Sequence, residues 1–597
     1  MRRPPLPLGI LVATALVSAS PAANAAPTTS TTWTTPTTWT TPTTPTTVGR
    51  YLVVAASDTD YAALRDQASR DGARVHELHG TRTMAVDATP AVARQLKASP
   101  LAASVARDHV KKLIDPERRG SSGKPQLSRD HAIVAGRPWP APQDPASGLD
   151  GLMWNQTRIH SPQANAVTLG SPAVTVAVAD TGLDFTHSEL KSKISRNVDF
   201  TATENPPICK TTTGYSDVDL AAMYGGPVNT DWNGHGSWIG GSVAAALDGV
   251  GVNGIAPRVQ LVGLKISQWC GLAYDSEILA AFEYAAAQHY DIVSISFAGY
   301  LNRTVPEQDA IYRDYVRTVA ETRKAGTLIV AAAGNEHLRI GPGGQVLSHG
   351  PLTAPGTAAT DFVDYFGLYE TPGGTPGVVD VSSTGNVVSS SSTSCRPQTG
   401  TALTCKPTGD AHQAAGSGKR DQLAYYSNYG PRIDVAGPGG ARKFNLPVWD
   451  NGGAPGFPVT VADGFTAYQD FSITSNWALV IACYTLPAPV FYANECYNTS
   501  QGTSMATPLG SAAAALIASA HPRLRHRPAA LLEALKKSAR DDVVNHTPPL
   551  SATDASAGDS ADYPNPCTTG YCHLGGRPIA SREAYGAGIV DALAGVR

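Results

Sequence analysis

Ser504, His235 and Asp180 lie in three separate segments, and together they could activate a nucleophile. Ser504 sits in GTSMATP at 502–508, ahead of a run of small and apolar residues that reads as a buried helix over 509–520. A serine hydroxyl is a poor nucleophile until a base takes its proton and a third group orients that base. VTVAVADTGLD ends an apolar strand-like run at Asp180, and NGHGSWIGGSVAAAL places His235 at a glycine-flanked helix start. LIVAAAGNE ends another apolar run at Asn335, whose amide is a candidate donor to a developing oxyanion. Singly, each has a blander reading: a surface histidine, a turn asparagine, a capping aspartate. In combination they imply acyl transfer. The serine segment lacks the GxSxG elbow, which argues against a lipase-type hydrolase.

The elements that must position these residues alternate. Residues 174–179, 260–266, 292–296 and 327–333 read as short apolar strands. Between them, 274–288 and 309–325 read as amphipathic helices. Apolar strands of this kind belong to a parallel sheet covered on both faces, so the region is expected to be α/β. The chemical residues fall at strand ends or helix starts, where such sheets place their crevices. Upstream, strands are predicted at 51–55, 75–78, 84–86 and 103–106, with helices at 61–70 and 90–98. That βαββαβ order is the ferredoxin-like split motif.

From about residue 152 onward the chain resembles the subtilases, the subtilisin-like serine peptidases. TVAVADTG resembles the family's aspartate motif, NGHGSWIGG its histidine motif and GTSMATP its serine motif. GVNGIAP, SISFAG, SNYGPRIDVAGPG and the terminal GAGIVDALA sit where subtilases have comparable segments. The resemblance implies a three-layer α/β catalytic domain with a mainly parallel sheet flanked by helices, preceded by a small ferredoxin-like α+β pro-domain. It makes Ser504 the nucleophile, His235 the base and acid, Asp180 its orienter and Asn335 the oxyanion donor. It also makes Ser296, Phe297, Ala298, Gly299, Ala332, Ala333 and Gly334 the substrate-binding residues. Protein or peptide substrates are implied, with the pro-domain as intramolecular inhibitor. Two departures stand out: Ser237-Trp238 where the family has Thr-His, and Ser296-Phe297-Ala298 where it has Ser-Leu-Gly. The competing readings are a catalytically silent scaffold that binds, and an esterase or peptide ligase using the same triad.

The rest of the chain frames this core. Arg2 and Arg3, an apolar stretch over 6–17 and Ala23-Asn24-Ala25 form the pattern of a secretory signal over 1–25, so secretion is expected. Residues 26–48 are Thr/Pro-rich and read as a disordered spacer. The pro-domain is expected over 49–112, a maturation linker over 113–150 and the catalytic domain over 151–597, with insertions near 343–422 and 443–500. The formal charge of −3 gives no basic bias towards nucleic acid, and no later run is long and apolar enough to anchor the chain in a membrane. Eight cysteines suit an oxidising compartment. Proximity suggests Cys395 with Cys405, Cys483 with Cys496 and Cys567 with Cys572, leaving Cys209 and Cys270. The chemistry requires no cofactor and no metal ligands are expected. Structural calcium is left open, because Asp217, Asp219 and Asp231 lack a readable ligand spacing and read as solvated loop charges.

Overall fold

A computed structural model describes residues 48–113, 153–348, 364–385, 393–398, 401–407, 421, 423–424, 426–440, 473–476, 478, 490–492, 495–540 and 579–597. The expected signal, the spacer up to residue 47 and the linker from 114 to 150 lie outside them.

The N-terminal part runs β1 (Gly49–Ala55), α1 (Tyr61–Arg70), β2 (Arg74–His76), β3 (Thr83–Ala88), α2 (Pro90–Ala98) and β4 (Ala102–Arg107). Its antiparallel sheet has the order β2-β3-β1-β4, so the expected split βαββαβ motif is present. Strand alternation gives this sheet two apolar faces. Tyr51, Val53, Met84 and Val86 pack with Leu64 and Leu96 of the two helices. Leu52, Val54 and Ala85 face the other way, into a core shared with the second part of the chain.

One more strand follows, β5 (Val110–Lys112), at the end of the segment expected to be pro-domain and not itself expected as a strand.

The second part opens with α3 (Trp154–Arg158), α4 (Ser161–Asn165), β6 (Thr175–Asp180), β7 (Ile194–Asp199), α5 (Ile208–Thr213), α6 (Asp217–Tyr224) and α7 (His235–Ala244). Next come β8 (Gln260–Lys265), β9 (Leu272–Tyr274), α8 (Asp275–Ala287), β10 (Ile292–Ile295), β11 (Gly299–Leu301), α9 (Pro306–Lys324) and β12 (Leu328–Ala332). After these are β13 (Tyr369–Thr371), β14 (Val379–Thr384), β15 (Thr393–Gln398), β16 (Thr401–Pro407), β17 (Val435–Pro438), β18 (Ile473–Asn476), β19 (Val490–Tyr492) and β20 (Glu495–Ser500). The last described elements are α10 (Thr503–Ala520), α11 (Pro528–Ser538), α12 (Ser581–Tyr585) and α13 (Ala592–Val596).

Seven strands form one sheet in the order β17-β14-β12-β10-β6-β8-β7, with every neighbouring pair parallel. Both faces are covered. Val176, Val178 and Val330 turn to a core with Ile239 of α7 and Leu509 and Ala513 of α10. Ala177, Ala179, Val293 and Ile329 turn to a core with Ile278 and Phe282 of α8 and Tyr315 of α9. The expected three-layer α/β domain is what the chain forms.

The region 343–422 is not wholly an insertion, because β14 within it is an internal strand of the main sheet. Part of 443–500 forms a three-stranded sheet, β18-β20-β19. Cys209 and Cys270 are disulfide-bonded. Cys395 and Cys405 stand opposite one another in the β15–β16 ladder, while Cys483, Cys567 and Cys572 lie outside the described residues. No helix among the described residues is long and apolar enough to cross a membrane.

Candidate active site

Asp180 is the last residue of β6 and is fully buried. Its Oδ1 accepts from the Thr181 backbone N–H at 2.8 Å and from His235 Nδ1 at 2.8 Å. A donor bond from Nδ1 leaves Nε2 as the ring nitrogen that can accept a proton. His235 opens α7, directly after Gly234, whose φ of 101° a side chain would resist. Gly236 must also be glycine, since a Cβ there would sit 2.0 Å from the Gly182 carbonyl oxygen.

The turn that delivers His235 is organised by Asp231. Its Oδ1 accepts from Thr181 Oγ1 at 2.9 Å, Gly234 N at 2.8 Å and Asn233 N at 3.0 Å. Its Oδ2 accepts from Ser237 N at 2.8 Å and Ser237 Oγ at 2.7 Å. Ser237 Oγ in turn accepts from Asp184 N at 2.9 Å, which ties α7 to the loop after β6. Beneath this network Lys265, at the end of β8, pairs with Asp217 at 2.7 Å. Its ammonium also donates to the carbonyls of Thr181 at 2.6 Å and Thr230 at 3.1 Å. Burial opposes the charge of Lys265, but Asp217, Asp199 and Asp231 outweigh it and hold the ammonium above its usual range. Asp217 and Asp231 are therefore buried framework groups and not solvated loop charges; Asp219 caps α6 and pairs with Lys210. No group of three or more His, Cys, Asp or Glu placed to hold a metal ion occurs among the described residues.

The departure at Ser237-Trp238 now has a physical account. Trp238 is fully buried and its indole N–H donates to the Asn498 carbonyl at 3.2 Å, while Ser475 Oγ donates to the Trp238 carbonyl at 2.8 Å. The sheet formed by β18, β19 and β20 thus rests on α7, and a tryptophan with one N–H suits that contact.

Ser504 lies in the first turn of α10, 6% exposed. Its hydroxyl donates to the Ser296 carbonyl at 3.2 Å, and Ser296 Oγ donates to the Ser504 carbonyl at 3.1 Å. Asn335 follows β12 through Gly334, whose φ is 94°. Its Oδ1 accepts from Thr503 N at 2.9 Å and Thr503 Oγ1 at 2.8 Å, which fixes the direction of the amide nitrogen. A Cβ built on Gly502 would lie 3.6 Å from both Asn335 Nδ2 and Ser504 N, so these two donors border one small space. Asn428, which sequence reasoning missed, braces the loop by donating to the Ala333 carbonyl at 2.6 Å and accepting from Leu338 N at 2.8 Å.

The remaining sequence-predicted residues divide by environment. Ser296 adjoins Ser504, and Gly299 begins β11 opposite Thr371. Phe297, Ala332 and Ala333 are essentially fully buried, and Ala298 nearly so. Gly334 N donates to Thr503 Oγ1 at 3.2 Å.

The model of the subtilase family matches residues 171–561. The major intracellular serine protease of Bacillus subtilis is 31% identical over 179 residues, which is 30% of this chain and 48% of that protein. Subtilisin DY of Bacillus licheniformis is 30% identical over 162 residues, 27% of this chain and 47% of that protein. The alignments thus span about half the length of these curated relatives. Among solved structures, the epidermin leader peptide processing serine protease of Staphylococcus aureus superposes with a TM-score of 0.54 at 16% identity, covering 92% of this chain and 98% of that one. A family match over most of the second part and the seven-stranded parallel sheet agree: this chain belongs to the subtilase family.

Proposed function

We propose that the protein is a secreted serine endopeptidase, made as a precursor, that cuts peptide bonds through an acyl-enzyme on Ser504. The observation that carries this reading is the buried 2.8 Å bond between Asp180, at the end of β6, and His235; β6 pairs in parallel with β10, just after which Ser296 bonds Ser504. His235 takes the Ser504 proton, and Asp180 holds its tautomer and stabilises the imidazolium that forms. The carbonyl oxygen of the attacked bond becomes an oxyanion in the space bordered by Asn335 Nδ2 and Ser504 N. Donors fixed before reaction stabilise that charge without reorganising. The imidazolium then protonates the leaving amine, and water resolves the acyl-enzyme by the reverse proton transfers. In this reading Ser504 gives up its bond to the Ser296 carbonyl to engage His235.

The N-terminal part acts, in this reading, as the inhibitory pro-domain. Its sheet covers α8 and α9, and Arg50 pairs with Glu277 at 3.0 Å across the contact. Its last strand, β5, adds antiparallel to β9. Removal requires a cut beyond residue 113.

Replacing Ser504 with Ala tests the whole reading. Wild-type protein is expected to label with a serine-directed fluorophosphonate and to lose its N-terminal segment when made alone. Ser504→Ala is expected to do neither while still unfolding cooperatively in denaturant. Labelling that survives the substitution places the nucleophile elsewhere. A wild-type chain that folds without labelling is the silent binding scaffold.

A further inference from the structure

Lys111 is among the most deeply buried large side chains of the protein, although it lies on a three-residue strand at the edge of the N-terminal part. Burying an ammonium is costly unless it is paired and hydrogen-bonded. Every group that pairs with it comes from the other part of the chain. Its Nζ stands 3.0 Å from Asp275 Oδ1 and donates to Thr371 Oγ1 at 2.7 Å. The ring of Tyr315 lies 5.2 Å from the same nitrogen, within cation–π range. The aliphatic stem passes over Gly299, where a Cβ would approach Lys111 Cγ to 3.0 Å.

The backbone around Lys111 is held as an added strand. Val110, Lys111 and Lys112 oppose Tyr274, Ala273 and Leu272, flanked by Asp275 N to the His109 carbonyl at 2.9 Å and Leu113 N to the Gly271 carbonyl at 2.8 Å. Strand addition of this kind takes affinity from the main chain and selectivity from the pockets that receive alternate side chains. Here Lys111 points inward, while Val110 is half-buried and Lys112 exposed.

We propose that the pocket around Lys111 is a substrate subsite selective for lysine, formed by Asp275, Thr371, Tyr315 and Gly299, which the precursor fills with its own Lys111. The proposal rests on the peptidase reading. Because Lys111 precedes the linker in which maturation is placed, the subsite receives a residue on the amino side of the cut bond. Two features of the pocket that do not depend on Lys111 favour a cation. Asp275 opens α8, where the helix N-terminus favours a carboxylate, and accepts from Tyr315 OH at 2.6 Å. With Lys111 in place, burial acts to raise its pKa, but Lys111, His109 and the Tyr315 hydroxyl outweigh that and hold it at about 2. A neutral side chain in the pocket would leave that buried charge uncompensated, the circumstance in which sites reject analogues most strongly.

The test uses mature enzyme from the full-length precursor and peptides that differ only in Lys, norleucine or Met at each position upstream of the cut. Lys is expected to be favoured at one position by at least about tenfold in kcat/KM. The Lys:norleucine ratio is expected to fall about tenfold or more in Asp275→Asn and to recover in Asp275→Glu. Gly299→Ala, which narrows the floor of the pocket, is expected to reduce cleavage of the Lys peptide more than that of a peptide with Ala there. Fluorophosphonate labelling of each variant separates misfolding from lost selectivity. Cleavage with no upstream Lys preference, or a preference that Asp275→Asn leaves intact, overturns the subsite and leaves the peptidase reading standing. No cleavage and no labelling by the wild-type enzyme overturns both.

Discussion

At the scale of single residues, Asn335 has two ends with separate duties. Its carbonyl oxygen is spent on Thr503 N and Oγ1, so the amide nitrogen is directed at the space beside Gly502 that Ser504 N also borders. In the proposed mechanism that nitrogen meets charge only as the tetrahedral intermediate forms. Asn335→Ala is therefore expected to lower kcat by about 10²–10³, the range established on a subtilisin, with a smaller change in KM. Steady-state kinetics normalised by active-site titration measure it. A kcat near that of the wild type removes Asn335 from the mechanism.

At the scale of elements, the start of α7 is fixed by a close approach of two backbones. A Cβ on Gly236 would lie 2.0 Å from the Gly182 oxygen and 3.1 Å from its carbonyl carbon, neither of which is the movable end of a side chain. Gly236→Ala is expected to push the first turn of α7 away from the loop after β6, lengthening the Asp180–His235 bond. Overpacking of this kind costs about 1–3 kcal/mol. The unfolding midpoint in urea should fall accordingly, and the fluorophosphonate labelling rate should fall at least about tenfold through misplacement of the base. Unchanged values for both contradict the claim that this contact positions His235.

At the scale of the whole molecule, the contact between the two parts buries carboxyl groups whose charge opposes the fold. Burial pushes Glu204 up to about 7, against the opposing pull of the Ile208 N–H and Arg50. Glu277 is likewise raised well above the ordinary range by burial and by Glu204. A carboxyl whose pKa is higher in the folded state keeps its proton there while the unfolded chain has already lost it. The folded state then binds more protons, and stability falls as pH rises. For Glu204 the window runs from the ordinary value of 4.5 to about 7, and the contribution is flat outside it. Glu204→Gln in the Ser504→Ala precursor is expected to flatten the decline of the unfolding midpoint across that window. A decline equally steep in both chains assigns the effect to other groups.

The sequence by itself determined which element carries each of the residues proposed for chemistry. Asp180, His235 and Ser504 lie at the strand end and helix starts that local apolar runs and flanking glycines marked, because those signals depend on neighbours a few residues away. The βαββαβ order of the N-terminal part was legible for the same reason. Only tertiary structure decided what the charged residues of intervening segments are for. Asp231 and Asp217 resembled solvated loop charges until Ser237, Thr181 and Lys265 closed around them. Val110–Lys112 carries no strand periodicity in three residues, and its partner β9 lies far along the chain. Trp238 broke a family pattern for a partner, Asn498, supplied by a remote sheet. β14 was hidden inside an apparent insertion because a short internal strand is defined by the neighbours that cover it. Local pattern writes the elements, while burial and pairing across long sequence separations assign the charges and edges their partners.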